Sequence, residues 1–460
     1  MRIFGAILDL VRSIAWMTVG GLRLLLSNLS RPFRTSRYIS TTAATRSIRT
    51  MGGLSDFLGQ TKTDFLRDLQ SKNVERWTVV MGNEAGDLDT IACSVAYSYL
   101  SSKYHNQPTI ALIQTPRTDL YLRPENLYAF SLANLTSQQQ ELLCIDDIPS
   151  SAPPLSQIIT KFALVDHNRL LDQFRGGPGK VVGIIDHHAD EKQHLDAEIR
   201  EIVNPVGSCA SRVARHFKSV WDASVPPELA TFLLSAIYID TGGLKPDDKA
   251  VEIDEQSAAF LTPNSTFNPD NQSLTGDVPP PPPIGNLADE LSDRKKDVSH
   301  FTTRDLLRRD YKEFVFGGLR TGLSTVPVGL EDCLKRDGAA GFWKALDGYM
   351  DDKGLAVLGF LATFKTQGKP KHKHKREILL LLKESAVSAD IEKRLFEGME
   401  ADPQLQLEPK LETEVADGRH AKVWNQKNTD VSRKYTAPLI RRLIEGGDAP
   451  AGEQQPEADE

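Results

Sequence analysis

The sequence predicts an α/β fold: an N-terminal domain on a parallel sheet with helices on both faces, then a smaller C-terminal α/β domain. Three observations predict it. From Trp77 onward, short continuous apolar runs alternate with segments of helical length, the pattern of strands buried on both faces. The runs Lys161–Val165 and Lys180–Ile185 end abruptly in charged residues. The length, 460 residues with 40% hydrophobic and 25% charged, suits two globular domains with extensions.

The elements follow in order. Strands are expected at Trp77–Gly82, Thr109–Gln114, Lys161–Val165 and Lys180–Ile185. Helices are expected at Thr90–Leu100, Ala210–Val220 and Leu229–Ile239, completing a domain over residues 51–261. Thr262–Asn286 is rich in Asn, Ser and Thr and ends near five prolines, Pro279–Pro283. Such a stretch builds no packed core, so residues 262–296 read as a linker or surface insertion. The second domain, 297–445, is expected to open with a helical pattern over Thr302–Phe316. Strands at Leu355–Phe364 and Glu377–Lys383 flank a basic loop, Thr366–Arg376, and helices at Asp390–Met399 and Val431–Glu445 follow. Residues 446–460 read as a disordered acidic tail.

Charge and composition exclude several classes. A formal net charge of -7 argues against stable nucleic-acid binding, which usually needs a basic domain. Cys93, Cys144, Cys209 and Cys333 lack CxxC spacing, so they read as reduced thiols and not as a thiolate zinc site. The first 50 residues hold eight arginines and a single acid, Asp9. That is the composition of a mitochondrial presequence, or of an unfolded leader. The apolar run Phe4–Leu26 is broken by Asp9, Arg12 and Arg23, so no membrane span is expected. The reading is a cytoplasmic or mitochondrial monomer.

The strongest signal is positional. Four apolar segments of the first domain each deliver an acid at or beyond their C-terminal end: Gly82–Asp89, with Asn83, Asp87 and Asp89; Val165-Asp166-His167-Asn168; Ile185-Asp186-His187-His188; and Ile239-Asp240-Thr241-Gly242. Taken singly, each reads as a turn, cap or structural residue. Together they suggest convergence, because strand C-termini of an open parallel sheet face one crevice. Clustered carboxylates resist ionisation unless cations lie between them. Oxygen-rich ligation with some imidazole suits Mn²⁺ or Mg²⁺.

These motifs, in this order and spacing, resemble the DHH phosphoesterase superfamily, named for Asp186-His187-His188. Within it, Asp305–Lys312 and Ser432-Arg433-Lys434 look like marks of the DHHA2 domain of family II pyrophosphatases and fungal exopolyphosphatases. The pyrophosphatases begin their first motif with a metal-binding histidine; this chain has Asn83, as the fungal exopolyphosphatases do.

The resemblance implies an exopolyphosphatase that removes terminal phosphate from inorganic polyphosphate. It implies two divalent cations held by Asp87, Asp89, Asp166, His187 and Asp240, with Asn83 nearby. His188 would act as donor or acid, and Asp186 would orient a histidine. Lys312, Arg433, Lys434 and Ser208 would hold substrate phosphates. The competing readings are a pyrophosphatase, a nucleotide phosphodiesterase and an inactive binding protein.

Overall fold

The computed structural model describes residues 53–245, 249–272, 282–365, 374–410 and 419–446. The leader, the prolines 279–281, residues 366–373 of the basic loop and the tail from 447 lie outside the described residues.

The first domain contains β1 (Thr78–Met81), β2 (Thr109–Ile113), β3 (Leu143–Cys144), β4 (Lys161–Val165), β5 (Lys180–Asp186) and β6 (Ile199–Ile202). They form one sheet in the order β3-β2-β1-β4-β5-β6. Every pairing in it is parallel. Successive residues of a strand point to opposite faces, and both faces are apolar here. Val80, Ala111, Ala163, Val165 and Ile185 join one core, packed by the helices Leu88–Tyr104, Pro124–Leu132, Cys209–Phe217 and Pro227–Asp240. Val79, Met81, Leu112, Phe162, Leu164 and Ile184 join the other, closed by Phe65 and Leu69 of the helix Leu54–Gln70 and by loop residues such as Phe174. That double burial explains why the strands read as unbroken apolar runs rather than as alternation.

The second domain is also built on six strands: β7 (Tyr311–Phe316), β8 (Leu319–Val326), β9 (Val357–Lys365), β10 (His374–Leu382), β11 (Leu407–Pro409) and β12 (Ala421–Gln426). Their order is β11-β12-β10-β9-β8-β7. Only β8 and β9 pair in parallel; the other pairs are antiparallel. Helices Thr303–Arg309 and Leu330–Lys353 cover one face, and Ala389–Ala401 and Arg433–Glu445 the other.

The structure corrects several expected elements. The helix from Thr302 stops at Arg309, and Tyr311–Phe316 is a strand paired with β8. Thr302 and Asp305 form a reciprocal cap that starts this helix, but beyond Asp310 the aromatic and β-branched residues of Tyr-Lys-Glu-Phe-Val-Phe pair along β8 instead. His374–Arg376, expected in the basic loop, already pair within β10. Leu287–Lys296 is a helix burying Leu287, Ala288 and Leu291, inside the stretch expected as linker. The helix Leu330–Lys353 was missed because Gly338, at φ +69°, breaks its pattern.

The two domains meet through a short segment of the first. Leu122 lies in the apolar core of the second domain with Phe301, Leu306 and Leu307. Arg309 Nε donates to the Leu122 carbonyl at 2.9 Å. Tyr121 pairs with Asp305, and Arg308 with Asp119. The helix Leu287–Lys296 itself belongs to the first domain's core through Leu287 and Leu291, and there Tyr128 donates to Glu290 at 2.6 Å with Arg294 over its ring.

One buried acid pins the loop that borders the sheet crevice. Asp254 accepts from the backbone N–H of Gly207 (2.9 Å), Ser208 (3.3 Å) and Val251 (2.9 Å), and from the Ser211 hydroxyl (2.6 Å). Asp254→Ala strands these donors in an apolar surround, which costs about 3 kcal/mol or more. Urea unfolding should show that loss; a midpoint unchanged from wild type would contradict the role given to Asp254.

Candidate active site

β1 and β4 are neighbours, but the chain leaves them in opposite directions across the sheet. The C-terminal ends of these two strands therefore form the switch-point crevice of the fold. Asn83–Asp89 enters it from β1, and Asp166 follows β4 directly.

Asp166 is 2% exposed and has φ +60°. A non-glycine residue holds that conformation only when its surroundings impose it. Its N–H donates to the Ile185 carbonyl at 3.1 Å. Its Oδ2 accepts the Thr90 hydroxyl at 2.6 Å and Asn83 Nδ2 at 3.0 Å, and Asn83 also donates to its carbonyl at 3.1 Å. Oδ1 is left facing His187 Nε2 at 3.2 Å. Asn83 Oδ1 accepts the Ala85 N–H at 2.9 Å. That contact fixes which end of the amide is oxygen and uses one of that oxygen's two lone pairs.

The histidines are anchored from behind. His187 Nδ1 lies 2.9 Å from the Val206 carbonyl. A carbonyl only accepts, so Nδ1 carries a proton and Nε2 is aimed at Asp166 and, at 3.9 Å, at Asp89. Asp186 ends β5 fully buried. It accepts from the N–H groups of His187 (2.8 Å) and His188 (3.2 Å) and from Asn168 (2.6 Å), and lies 2.8 Å from His188 Nδ1. The two imidazoles meet edge to face at 4.5 Å.

Asp89, in the first turn of the helix Leu88–Tyr104, is buried against the start of the helix Cys209–Phe217. It accepts from the Ser208 hydroxyl (2.9 Å) and from the N–H groups of Cys209 (2.6 Å) and Ala210 (2.8 Å). A helix N-terminus stabilises an anion in this way. Ser208, expected to hold substrate phosphate, donates its hydroxyl to Asp89, accepts the Ala210 N–H, and donates its own N–H to Asp254. Asp87 caps the same helix as Asp89, accepting the Thr90 N–H at 3.0 Å.

The electrostatics link all four acids. Burial pushes Asp166 up to about 7, with His187 opposing and Asp89 and Asp87 adding to the rise. Burial likewise raises Asp89. Asp240, the last residue of its helix, is driven well above the carboxylate range by burial, with Asp89, Asp87 and Asp166 contributing and Lys295 opposing. For His187, burial favours the neutral ring, but Asp166 and Asp89 outweigh it and lift the imidazole to about 11. Ligand atoms of Asp166, His187 and His188 all lie within 4.8 Å of one another. The adjacent thiols stay protonated, since burial raises Cys93 and takes Cys209 to about 11. Crowded carboxylates and imidazole without thiolate fit a hard or borderline divalent cation.

The expected basic residues sit in the second domain. Arg433 Nη2 pairs with Asp310 at 2.7 Å, and its Nη1 donates to the Asp310 carbonyl at 2.8 Å. Lys312 is half-buried on β7, and Lys434 is exposed in the first turn of the last helix. Sequence reasoning missed Thr90 and Asp254, whose roles rest on contacts distant in the chain. Asn168 lay within a motif already singled out, but its tie to Asp186 was not foreseen.

Comparison with known proteins agrees with this architecture. The DHH family N-terminal domain matches residues 77–237, and the DHHA2 domain matches residues 289–443. A Schizosaccharomyces pombe protein named "Putative exopolyphosphatase" is 29% identical over 381 residues, covering 79% of this chain and 90% of that protein. Rat "Exopolyphosphatase PRUNE1" is 26% identical over 391 residues, covering 83% of this chain and 79% of its own length. The "Manganese-dependent inorganic pyrophosphatase" of Methanocaldococcus jannaschii is 24% identical over 295 residues, covering 62% of this chain and 82% of its own. Among the described residues no helix is long and apolar enough to cross a membrane. With a DHH domain carrying the acid crevice and a DHHA2 domain beside it, the chain belongs to the DHH superfamily of phosphoesterases.

Proposed function

We propose that the chain is an exopolyphosphatase that uses two divalent cations, Mn²⁺ or Mg²⁺, to hydrolyse the terminal phosphoanhydride bond of inorganic polyphosphate. The observation that carries the choice over a pyrophosphatase is Asn83. Its amide nitrogen braces Asp166 and its oxygen is held by Ala85, where the pyrophosphatases it resembles have a metal-binding histidine. The exopolyphosphatase names of two relatives support the same reading.

Asp87, Asp89, Asp166, His187 and Asp240 would hold the cations. Bound there, the cations would supply charge neutralisation and a more acidic water. The chain's own residues do the positioning. Thr90 and Asn83 turn Asp166 so that Oδ1 faces His187. Asp186 holds His188 in place to donate a proton to the departing phosphate oxygen. Lys312, Arg433 and Lys434 neutralise the substrate phosphates.

Three outcomes test this. Orthophosphate release should be faster per enzyme on long polyphosphate and tripolyphosphate than on pyrophosphate; a clear preference for pyrophosphate would reverse the assignment. Asp166→Ala should lower turnover by about a thousandfold or more while the protein remains folded, and near-wild-type turnover would remove Asp166 from the site.

The third concerns pH. Asp166, raised to about 7, keeps a proton in the folded protein that the unfolded chain has already lost, so its ionisation costs stability increasingly between about pH 4 and about pH 7. His187, raised to about 11, adds stability that is complete below its ordinary value and fades as pH climbs toward the raised one. A cation needs Asp166 ionised and His187 neutral, so it competes with protons. Mn²⁺ affinity should therefore rise between about pH 6 and about pH 8, by about tenfold per pH unit for each proton displaced. Calorimetric titration at several pH values would show it, and a flat profile would contradict the assigned ligands.

A further inference from the structure

One cation beside the crevice has no part in the mechanism above. Arg123 precedes Pro124, the first residue of the helix Pro124–Leu132, and its side chain is 13% exposed. Its Nη2 donates to the Ala85 carbonyl at 2.7 Å, inside the loop that carries Asn83 and Asp87. Its Nη1 lies 3.5 Å from Glu125 Oε1. Glu125 is 1% exposed, and its other oxygen lies 3.6 Å from Arg309 Nη2 of the second domain.

These two ion pairs are long. Charge-assisted hydrogen bonds between such groups normally close to about 2.7–2.9 Å. Neither Glu125 oxygen makes a hydrogen bond, so Glu125 holds the guanidinium in place without saturating its fork of donors. One residue beyond Arg309, Asp310 anchors Arg433. Burial alone would raise the Asp310 carboxyl, but Arg433, Arg123 and Lys312 outweigh it and hold it below the usual range. Arg123 therefore shares the surroundings of the second domain's two basic residues while bonded to the metal-site loop of the first.

We propose that Arg123 is a further phosphate-binding residue, supplied by the first domain and held by Glu125, that grips the substrate together with Lys312 and Arg433. The proposal rests on the phosphoanhydride reading given above. A planar guanidinium suits it, because it can bind two oxygens of one phosphate. The alternative is that Arg123 only ties Ala85 to Glu125.

The test uses the full chain with Mn²⁺ and imidodiphosphate, a pyrophosphate analogue with a bridging nitrogen. In Arg123→Gln its affinity should fall by about tenfold or more, the usual weight of a hydrogen bond to a charged group. KM for tripolyphosphate should rise in step, with a smaller change in kcat and an unchanged Mn²⁺ affinity. Arg123→Lys keeps the charge but not the fork, and should bind with intermediate affinity; it decides the matter if the glutamine variant fails to fold. Wild-type affinity in a folded Arg123→Gln or Arg123→Lys variant overturns the proposal. So does a parallel loss of Mn²⁺ affinity, which would make Arg123 a brace for the metal loop. Wild-type protein that binds imidodiphosphate but hydrolyses no phosphoanhydride would sink the hydrolase reading and leave Arg123 standing; wild-type protein that binds none overturns both.

Discussion

The site depends on one electrostatic constraint: several carboxylates are buried within each other's field at the switch point of a parallel sheet. Left to itself, such a cluster would take up protons or swell apart. The fold opposes the second outcome by giving Asp89, Asp166 and Asp186 fixed donors. Asp89 is seated on a helix N-terminus, Asp166 is clasped by Thr90 and Asn83, and Asp186 is surrounded by Asn168 and two backbone N–H groups. What the donors leave over is a set of aimed lone pairs, and a cation is the natural partner for them.

Geometry and charge divide between the domains. The acids and imidazoles come from strand ends, a helix start and, for Asp240, a helix end of the first domain, so their spacing is set by how the helices pack on the sheet. The basic groups Lys312, Arg433 and Lys434 come from a mixed sheet and its last helix. The acids of the crevice and these basic groups thus belong to two separately packed cores.

Much of this was legible in the sequence, for a definite reason. A parallel strand buried on both faces is a solid apolar word, and the acid following it stands out. Asp87, Asp89, Asp166, His187 and Asp240 could therefore be grouped before any coordinates. The limits were equally physical. Tyr311–Phe316 took a helical reading because its partner, β8, makes the strand stable, and pairing such as Lys312 with Leu323 leaves no local trace. Ser208 had the residue type of a phosphate ligand, but no pattern reveals that its hydroxyl faces a carboxylate of its own chain. Arg123 was silent because Ala85 and Asp310 lie far from it in the chain.

Leu122 has a consequence of its own. A side chain from the first domain completes the apolar interior of the second, lodged among Phe301, Leu306 and Leu307. Cut apart, one half would present a bare leucine peg and the other an open greasy socket, so each piece would tend to self-associate. The two halves are better regarded as a single cooperative unit.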